Sequence, residues 1–450
     1  MGTGVGQFIP IFIYIGFICA SLLAFLWRPQ IGLYFLILLL PLQTTRARLQ
    51  EFPLGENMIY IIILSSLGGI LLRRFDKPFP KTPLNGVVLV YVIFIYFSLW
   101  LGAFNLDLPL PLWSNSSSLI AWKDFMAMPL LLLVTLGCIR DVRQMKLIIV
   151  LMCLSNLLVD RSFILEILGR DFSHFIEDKR QAGPLGYAGV NGFAAFESQL
   201  SLLLLGILPF IQKRALKIAG YSLVALNGYC ILYSFSRGAY IAILAGLSLY
   251  AILKRRWLLV PLVAFAFSWQ LVVPTPVYER VVMTYGKDKQ LEISAAERIS
   301  LWEDASQLIA SSPIIGTGYN TYSHMGRLQN LRDTHNLYLK ILVETGIVGL
   351  LLVLAIFAKV IRSAFFLYKA ANEPFFNALG LGVVLCMAGV ITVNIFGDRW
   401  TFIEIDGFLW VLFGLVMRAR LLVTEPMLQE KNIRQTAYLP DESAPAGLLV

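Results

Sequence analysis

Charged side chains are scarce in this chain. Only 14% of its 450 residues are Asp, Glu, Lys or Arg, and 58% are hydrophobic, whereas soluble domains carry roughly 25% charged residues. A water-soluble fold has no place to hide that excess, but hydrocarbon solvates it, so the surplus reads as lipid-facing and interhelical surface. Histidine is rarer still, with three residues. The five cysteines (Cys19, Cys138, Cys153, Cys230, Cys386) fall in or beside apolar runs. They form no CxxC pair and show no metal-ligand spacing, so they read as small core residues. No Walker-type phosphate loop, HExxH or GxSxG occurs. The first apolar run, 8–26, lacks a basic leader and a clear small-residue cleavage site, so it reads as a span and not as a signal peptide.

What is present is a succession of apolar runs, most of them near the roughly 20 residues needed to cross a bilayer. They predict twelve to thirteen helices, at about 8–26, 30–43, 57–72, 85–104, 118–138, 145–160, 187–211, 217–234, 236–253, 257–273, 337–358, 376–396 and 402–419. The runs at 30–43 and 57–72 are short, which suits a tilted or partly re-entrant helix. The fold class expected is an all-α polytopic transmembrane helix bundle.

The net charge of +9 sits in short clusters between these runs. Examples are Arg73, Arg74, Lys77 and Lys81, then Lys213, Arg214 and Lys217, then Lys254, Arg255 and Arg256. That is the positive-inside pattern of cytoplasmic loops, and it argues against nucleic-acid binding. Loops 212–217, 254–257 and 359–375, with the tail after Arg418, are thereby expected in the cytoplasm. Alternation then puts 160–186, the turn at 234–238 and the long segment 274–336 on the opposite face. Trp100, Trp113, Trp257 and Trp400 fall near predicted helix ends, where indole favours the headgroup region. The chain divides into 1–273, the first part of the bundle; 274–336, a large periplasmic loop; 337–420, the last helices; and 421–450, a polar tail expected to be disordered.

A loop of that length in a compact fold is usually functional. Ser294-Ala-Ala-Glu297 has capping-box spacing ahead of Ile299, Leu301, Trp302, Leu308 and Ile309, which predicts an amphipathic surface helix over 295–310. Pro313, Gly316 and Gly318 then break it. A second helix is expected to start near Thr334, as its N-cap, and to run on from Leu337 into the membrane.

Three side chains in this region carry chemistry. His335 falls in the first turn of that second helix, where the positive end of the dipole disfavours imidazolium. A neutral imidazole accepts a proton from an attacking hydroxyl; the competing reading is a simple cap or headgroup contact. Arg237, in Ser234-Phe-Ser-Arg-Gly-Ala239, sits at the membrane edge, where a guanidinium either snorkels or meets an anion. Arg298 lies one turn before Trp302, either solvated or facing a ligand. Two guanidiniums and one imidazole on one face suit a diphosphate with a proton acceptor, because guanidinium grips phosphate through two parallel bonds. Glu197, Glu344, Glu404 and Asp406, in or near apolar spans, and the adjacent Lys123 and Asp124 are functional candidates by position, with structural pairing the competing reading. His174 and His324 lie in loops with no partner at motif spacing. No acidic cluster on the outer face offers the oxygen ligands of a divalent metal, so none is expected.

The blocks Arg298-Ile-Ser-Leu-Trp302, Pro313-Ile-Ile-Gly-Thr-Gly-Tyr319, Thr334-His-Asn-Leu-Tyr-Leu339 and Glu344-Thr-Gly-Ile-Val-Gly349, with Ser236-Arg-Gly-Ala239 upstream, resemble the O-antigen ligase and polymerase superfamily. The resemblance implies a membrane glycosyltransferase of the GT-C type. Its members take a glycan from undecaprenyl diphosphate at the periplasmic face, without nucleotide sugar, metal or other cofactor. Ligases pass the glycan to the lipid A core, polymerases to another lipid-linked repeat, and related members to protein. Carried over residue by residue, Arg237 and Arg298 hold the donor diphosphate and His335 activates the acceptor hydroxyl. Asn336 orients the histidine, and Asn336, Trp302 and Tyr338 are expected substrate-binding residues. One-step attack inverts the anomeric carbon. The ligase reading is preferred, with membrane lipids as the surrounding partners. A polymerase, a transporter of inorganic carbon or another small solute, and a lipid-binding assembly protein remain as alternatives. A transporter would concentrate its functional residues in broken helices at the bilayer midplane.

Overall fold

The computed structural model describes residues 8–73, 78–112, 116–283, 293–326 and 333–437, without the side chains of 293–296 and 426–437. Helix accounts for 81% of it and no strand occurs among the described residues. Hydrocarbon dictates this, because only a helix satisfies its backbone polar groups within a single segment.

The chain opens with α1 (Ile9–Leu26), α2 (Gln30–Leu39), the short α3 (Gln43–Ala47) and α4 (Met58–Leu72). α2 has ten residues, a length of about 15 Å, half the hydrocarbon thickness. Pro41 stops it, since proline lacks the N–H and its ring crowds the carbonyl four residues back. The short run at 30–43, expected as a tilted or partly re-entrant helix, is a half-length helix followed by α3. Next come α5 (Asn85–Asn105), α6 (Ser117–Cys138) and α7 (Val142–Ile167). α7 outruns its expected bounds; Asp141 caps it through a reciprocal box with Gln144.

α8 (Gly189–Ile207), α9 (Arg214–Ser234) and α10 (Arg237–Lys254) follow, then α11 (Leu259–Val272), α12 (Thr275–Val282) and α13 (Ile293–Ser311). The last three are α14 (Leu337–Ala370), α15 (Pro374–Val393) and α16 (Ile403–Ala437). Among the described residues eleven helices are long and apolar enough to cross a membrane, or twelve with α11 and α12 taken as one span bent by 107°. This is a multi-pass bundle. α16 carries helix through Ala437, so the tail expected to be disordered from 421 begins as helix, in line with the Leu, Gln, Glu, Lys and Arg that dominate it. Trp113, Arg74, Lys77 and residues 438–450 lie outside what is described, as does the side chain of Ser294.

α8 is the centre of the bundle, packed on α15, α9 and α10. It crosses α15 so closely that a Cβ at Gly206 would stand 2.4 Å from the Gly382 Cα, the small-residue contact that lets membrane helices approach. Trp400, expected at the headgroups, is instead 1% exposed and packs on Trp410, Phe357 and Phe125.

The predicted loop helix is α13. Its Leu301, Ala305 and Leu308 form a small core with Tyr322 and with Val343 of α14, and Trp302 and Ile309 pack against that core. Behind it, α14 is interrupted at Gly346 (φ 61°, ψ −165°). The segment after α13 fills the interruption. Thr317 N donates to Val343 O (2.8 Å) and Gly318 N to Glu344 O (2.9 Å), while Ile347 N donates to Pro313 O (2.9 Å) and Val348 N to Ile314 O (3.2 Å). Backbone groups freed by the break are thus paired with the loop, as buried N–H and C=O groups must be. Gly316 and Gly346 permit the approach, since a Cβ on either would lie within 2.4 Å of the other segment's backbone.

Candidate functional site

The turn between α9 and α10 is two residues long, with Phe235 in the left-handed region (φ 55°). Arg237 is therefore the first residue of α10, at the same end of the bundle as the start of α14. There the backbone turns sharply at His335, also left-handed (φ 51°). Non-glycine residues seldom adopt this conformation, and it is held by its surroundings. Trp302 Nε1 donates to Thr334 O (3.1 Å), and Thr334 Oγ1 donates to Asn336 O (2.8 Å). Asn336, not Thr334, caps α14, its Oδ1 accepting from Tyr338 N (2.9 Å) and Leu339 N (3.2 Å). His335 consequently precedes the cap and does not lie in the first helical turn.

These elements border a cavity of about 1590 Å³. Arg237, Arg298, Trp302 and His335 all line it. Asn336 and Tyr338 do not. The first is occupied as the cap, and the Tyr338 hydroxyl donates to Ile391 O on α15 (2.8 Å). The sequence reading missed three further arginines on the wall, Arg180, Arg280 and Arg399. Arg180 and Arg280 share Glu177, at 2.6 and 3.2 Å. Arg180 also donates to Ser234 O (3.1 Å) and Asn191 Oδ1 (2.9 Å), so it buttresses the α9–α10 turn. The available signal was general, arginine at the end of an apolar run. Most of the remaining wall is apolar, with Leu232, Leu244, Phe265 and Trp269 from α9, α10 and α11, and Glu177, Asn191, Ser201 and Glu297 also line the cavity.

Burial holds the His335 pKa below the ordinary imidazole value; Arg298 and Arg399 lower it further, against an opposing pull from Asp333 and Glu297. This replaces the helix-dipole account, which needed His335 inside the helix. The result at neutral pH is a neutral ring. Asp333 lies 3.5 Å from Nδ1, which leaves Nε2 as the other proton-accepting position.

None of the other candidates lines the cavity, and all but Glu344 have side-chain partners elsewhere. Glu404 meets Arg46 at 2.6 Å, Glu197 accepts from Asn156 (2.8 Å), and Asp406 accepts from Gln199 (3.3 Å). Glu344 is buried beside the break in α14. Lys123 and Asp124 both engage Tyr60. Two loop histidines have partners the sequence did not indicate. His174 Nδ1 lies 2.7 Å from Glu279 Oε1, which ties its loop to α12, and His324 Nε2 lies 3.3 Å from Ser117 Oγ.

Residues 222–354, less than a third of the chain, match the family described as O-antigen ligase. The matched segment contains Arg237, Arg298, Trp302 and His335, and the match supports glycosyl transfer of the ligase or polymerase type in general. No curated protein matches the chain.

Proposed function

From the premise of an O-antigen ligase segment over 222–354, we propose that the protein transfers a glycan from undecaprenyl diphosphate to an acceptor hydroxyl at the periplasmic face of the inner membrane, with the lipid A core as acceptor. The observation that carries this reading is a single cavity lined both by Arg237, Arg298 and His335 and by apolar side chains of α9, α10 and α11. A lipid diphosphate calls for both linings. Arg237 begins α10 and His335 precedes α14, so these two groups stand at helix ends, unlike the midplane site a transporter needs.

In the reaction, His335 Nε2 takes the proton of the acceptor hydroxyl as its oxygen attacks the anomeric carbon. The bond from that carbon to the diphosphate oxygen breaks, and the diphosphate leaves with the electron pair. Attack from the opposite face inverts the centre. Arg237 and Arg298 stabilise the charge gathering on the leaving group, in a site where burial strengthens each contact. Asp333 fixes the ring so that Nε2 faces the hydroxyl. No step uses a metal, and EDTA is expected to leave the rate unchanged.

The test supplies purified protein with a defined lipid-linked glycan, with and without lipid A core. Glycan appearing on lipid A supports the ligase reading. Lengthened lipid-linked chains would instead identify a polymerase, and no transfer to either acceptor would overturn the proposal.

A further inference from the structure

We propose that Arg399 is a further phosphate-binding residue of this cavity, gripping a phosphate oxyanion of the lipid-linked donor or of a phosphorylated acceptor. The inference rests on the glycan-transfer reading above and concerns a residue well outside the matched segment. Arg399 lies in the turn between α15 and α16 and lines the same cavity as His335.

The turn is fixed on every side. Arg399 N donates to Asn394 Oδ1 (2.9 Å). The Asp398 carboxylate accepts from Trp400 N (3.0 Å), Thr401 N (3.3 Å), Thr401 Oγ1 (2.7 Å) and Lys340 Nζ (2.8 Å). Trp400, buried, donates its indole N–H to Tyr91 Oη (3.3 Å). Both neighbours of Arg399 in sequence are thus immobilised. Gly397 leaves room for the side chain, because a Cβ there would stand 2.6 Å from a guanidinium nitrogen.

The guanidinium itself has no hydrogen bond or ion pair among the described residues, and its Nε is buried. Asp398, the nearest carboxylate in sequence, is fully occupied by the turn and by Lys340. Asp333 attracts Arg399 electrostatically but is beyond ion-pair distance. A half-buried cation with its Nε buried and no anion in reach is held at a cost, and guanidinium cannot relieve that cost by losing its proton. An incoming phosphate relieves it. Arg180 and Arg280 differ in that Glu177 already partners both.

The test compares wild-type protein with Arg399→Gln and Arg399→Lys. With donor and acceptor titrated separately, Arg399→Gln is expected to raise one KM by about tenfold or more, the loss of a charged hydrogen bond, and Arg399→Lys to recover part of it. A rise in donor KM assigns the phosphate to the lipid diphosphate, and a rise in acceptor KM assigns it to the acceptor. If neither KM moves, the proposal is overturned. A second readout needs no turnover. Inorganic pyrophosphate should raise the thermal midpoint of wild-type protein and of His335→Ala, but raise that of Arg399→Gln less. Without ligand, Arg399→Gln should melt no lower than wild type, since it removes an unpaired charge. A lower midpoint, or equal protection by pyrophosphate, would mark Arg399 as merely structural. Failure of wild type to transfer any glycan would count against the transferase reading, whereas the pyrophosphate arm reads Arg399 alone.

Discussion

α8 and α11 both line the cavity, and they are built in opposite ways. The span containing α8 is 83% buried, with Gly206 pressed on Gly382. No residue of α11 is buried, and Phe267 and Leu271 are 86% and 88% exposed. The neighbouring α9 resembles α11, with only 17% of its span buried. One wall is therefore fixed by close packing, and the other is held by few contacts and turned toward lipid. The difference separates two tasks. Charged groups need fixed geometry, and His335 and Arg399 are anchored to α13, α14 and the α15–α16 turn. A long apolar tail needs an open side that bends to receive it.

The comparison is broken most directly at the rigid wall's chemistry. His335→Ala should lower transfer roughly 100- to 10,000-fold while leaving the folded protein intact in size-exclusion chromatography; full activity would remove the base. Arg237→Lys, which keeps the charge and loses the fork, should raise donor KM about tenfold, and unchanged donor kinetics would refute a two-point grip. Gly206→Val should destabilise the bundle by about 1–3 kcal/mol, read as a lower thermal midpoint. The pH profile gives a smaller, directional effect. The base works only when neutral, so the rate should fall as pH drops through the His335 pKa, at a limb below that of an ordinary histidine. Arg298→Gln should move the limb up and Asp333→Asn move it down; a limb unmoved in both variants would sever His335 from the proton transfer. The smallest effect is expected at Leu271→Ala on the open wall, within about 0.5 kcal/mol of wild type. A large loss there would mean that α11 is not the loose side.

Most of the bundle was legible because hydrocarbon imposes one rule on every span, namely length and apolarity. The exceptions are local. Pro41 halves α2, a fact that hydropathy alone overlooks. α11 and α12 bend apart at Val273 and Pro274, where apolar runs give no hint of direction. Trp400 sits at a helix end as expected, yet tertiary packing buries it. Within the candidate site, Arg237, Arg298, Trp302 and His335 stood in recognisable blocks and share one cavity. Arg180 and Arg399 stood outside those blocks. They come from loops more than 200 residues apart in sequence, so only the fold brings them together. The surroundings of His335 were misjudged because Thr334 gives its hydroxyl to the Asn336 carbonyl, which leaves the capping to Asn336.

The seam at Gly316 and Gly346 makes α13 a lever with one end nailed down. Its far end is stitched into α14, so the angular position of Arg298 around the helix is set by a count of residues from that seam. One residue inserted between Trp302 and Ser311 would swing Arg298 by roughly 100° and carry the Trp302 indole off the Thr334 carbonyl with it. The spacing between the arginine block and the glycine block is therefore as much a part of the site as the residues that carry charge.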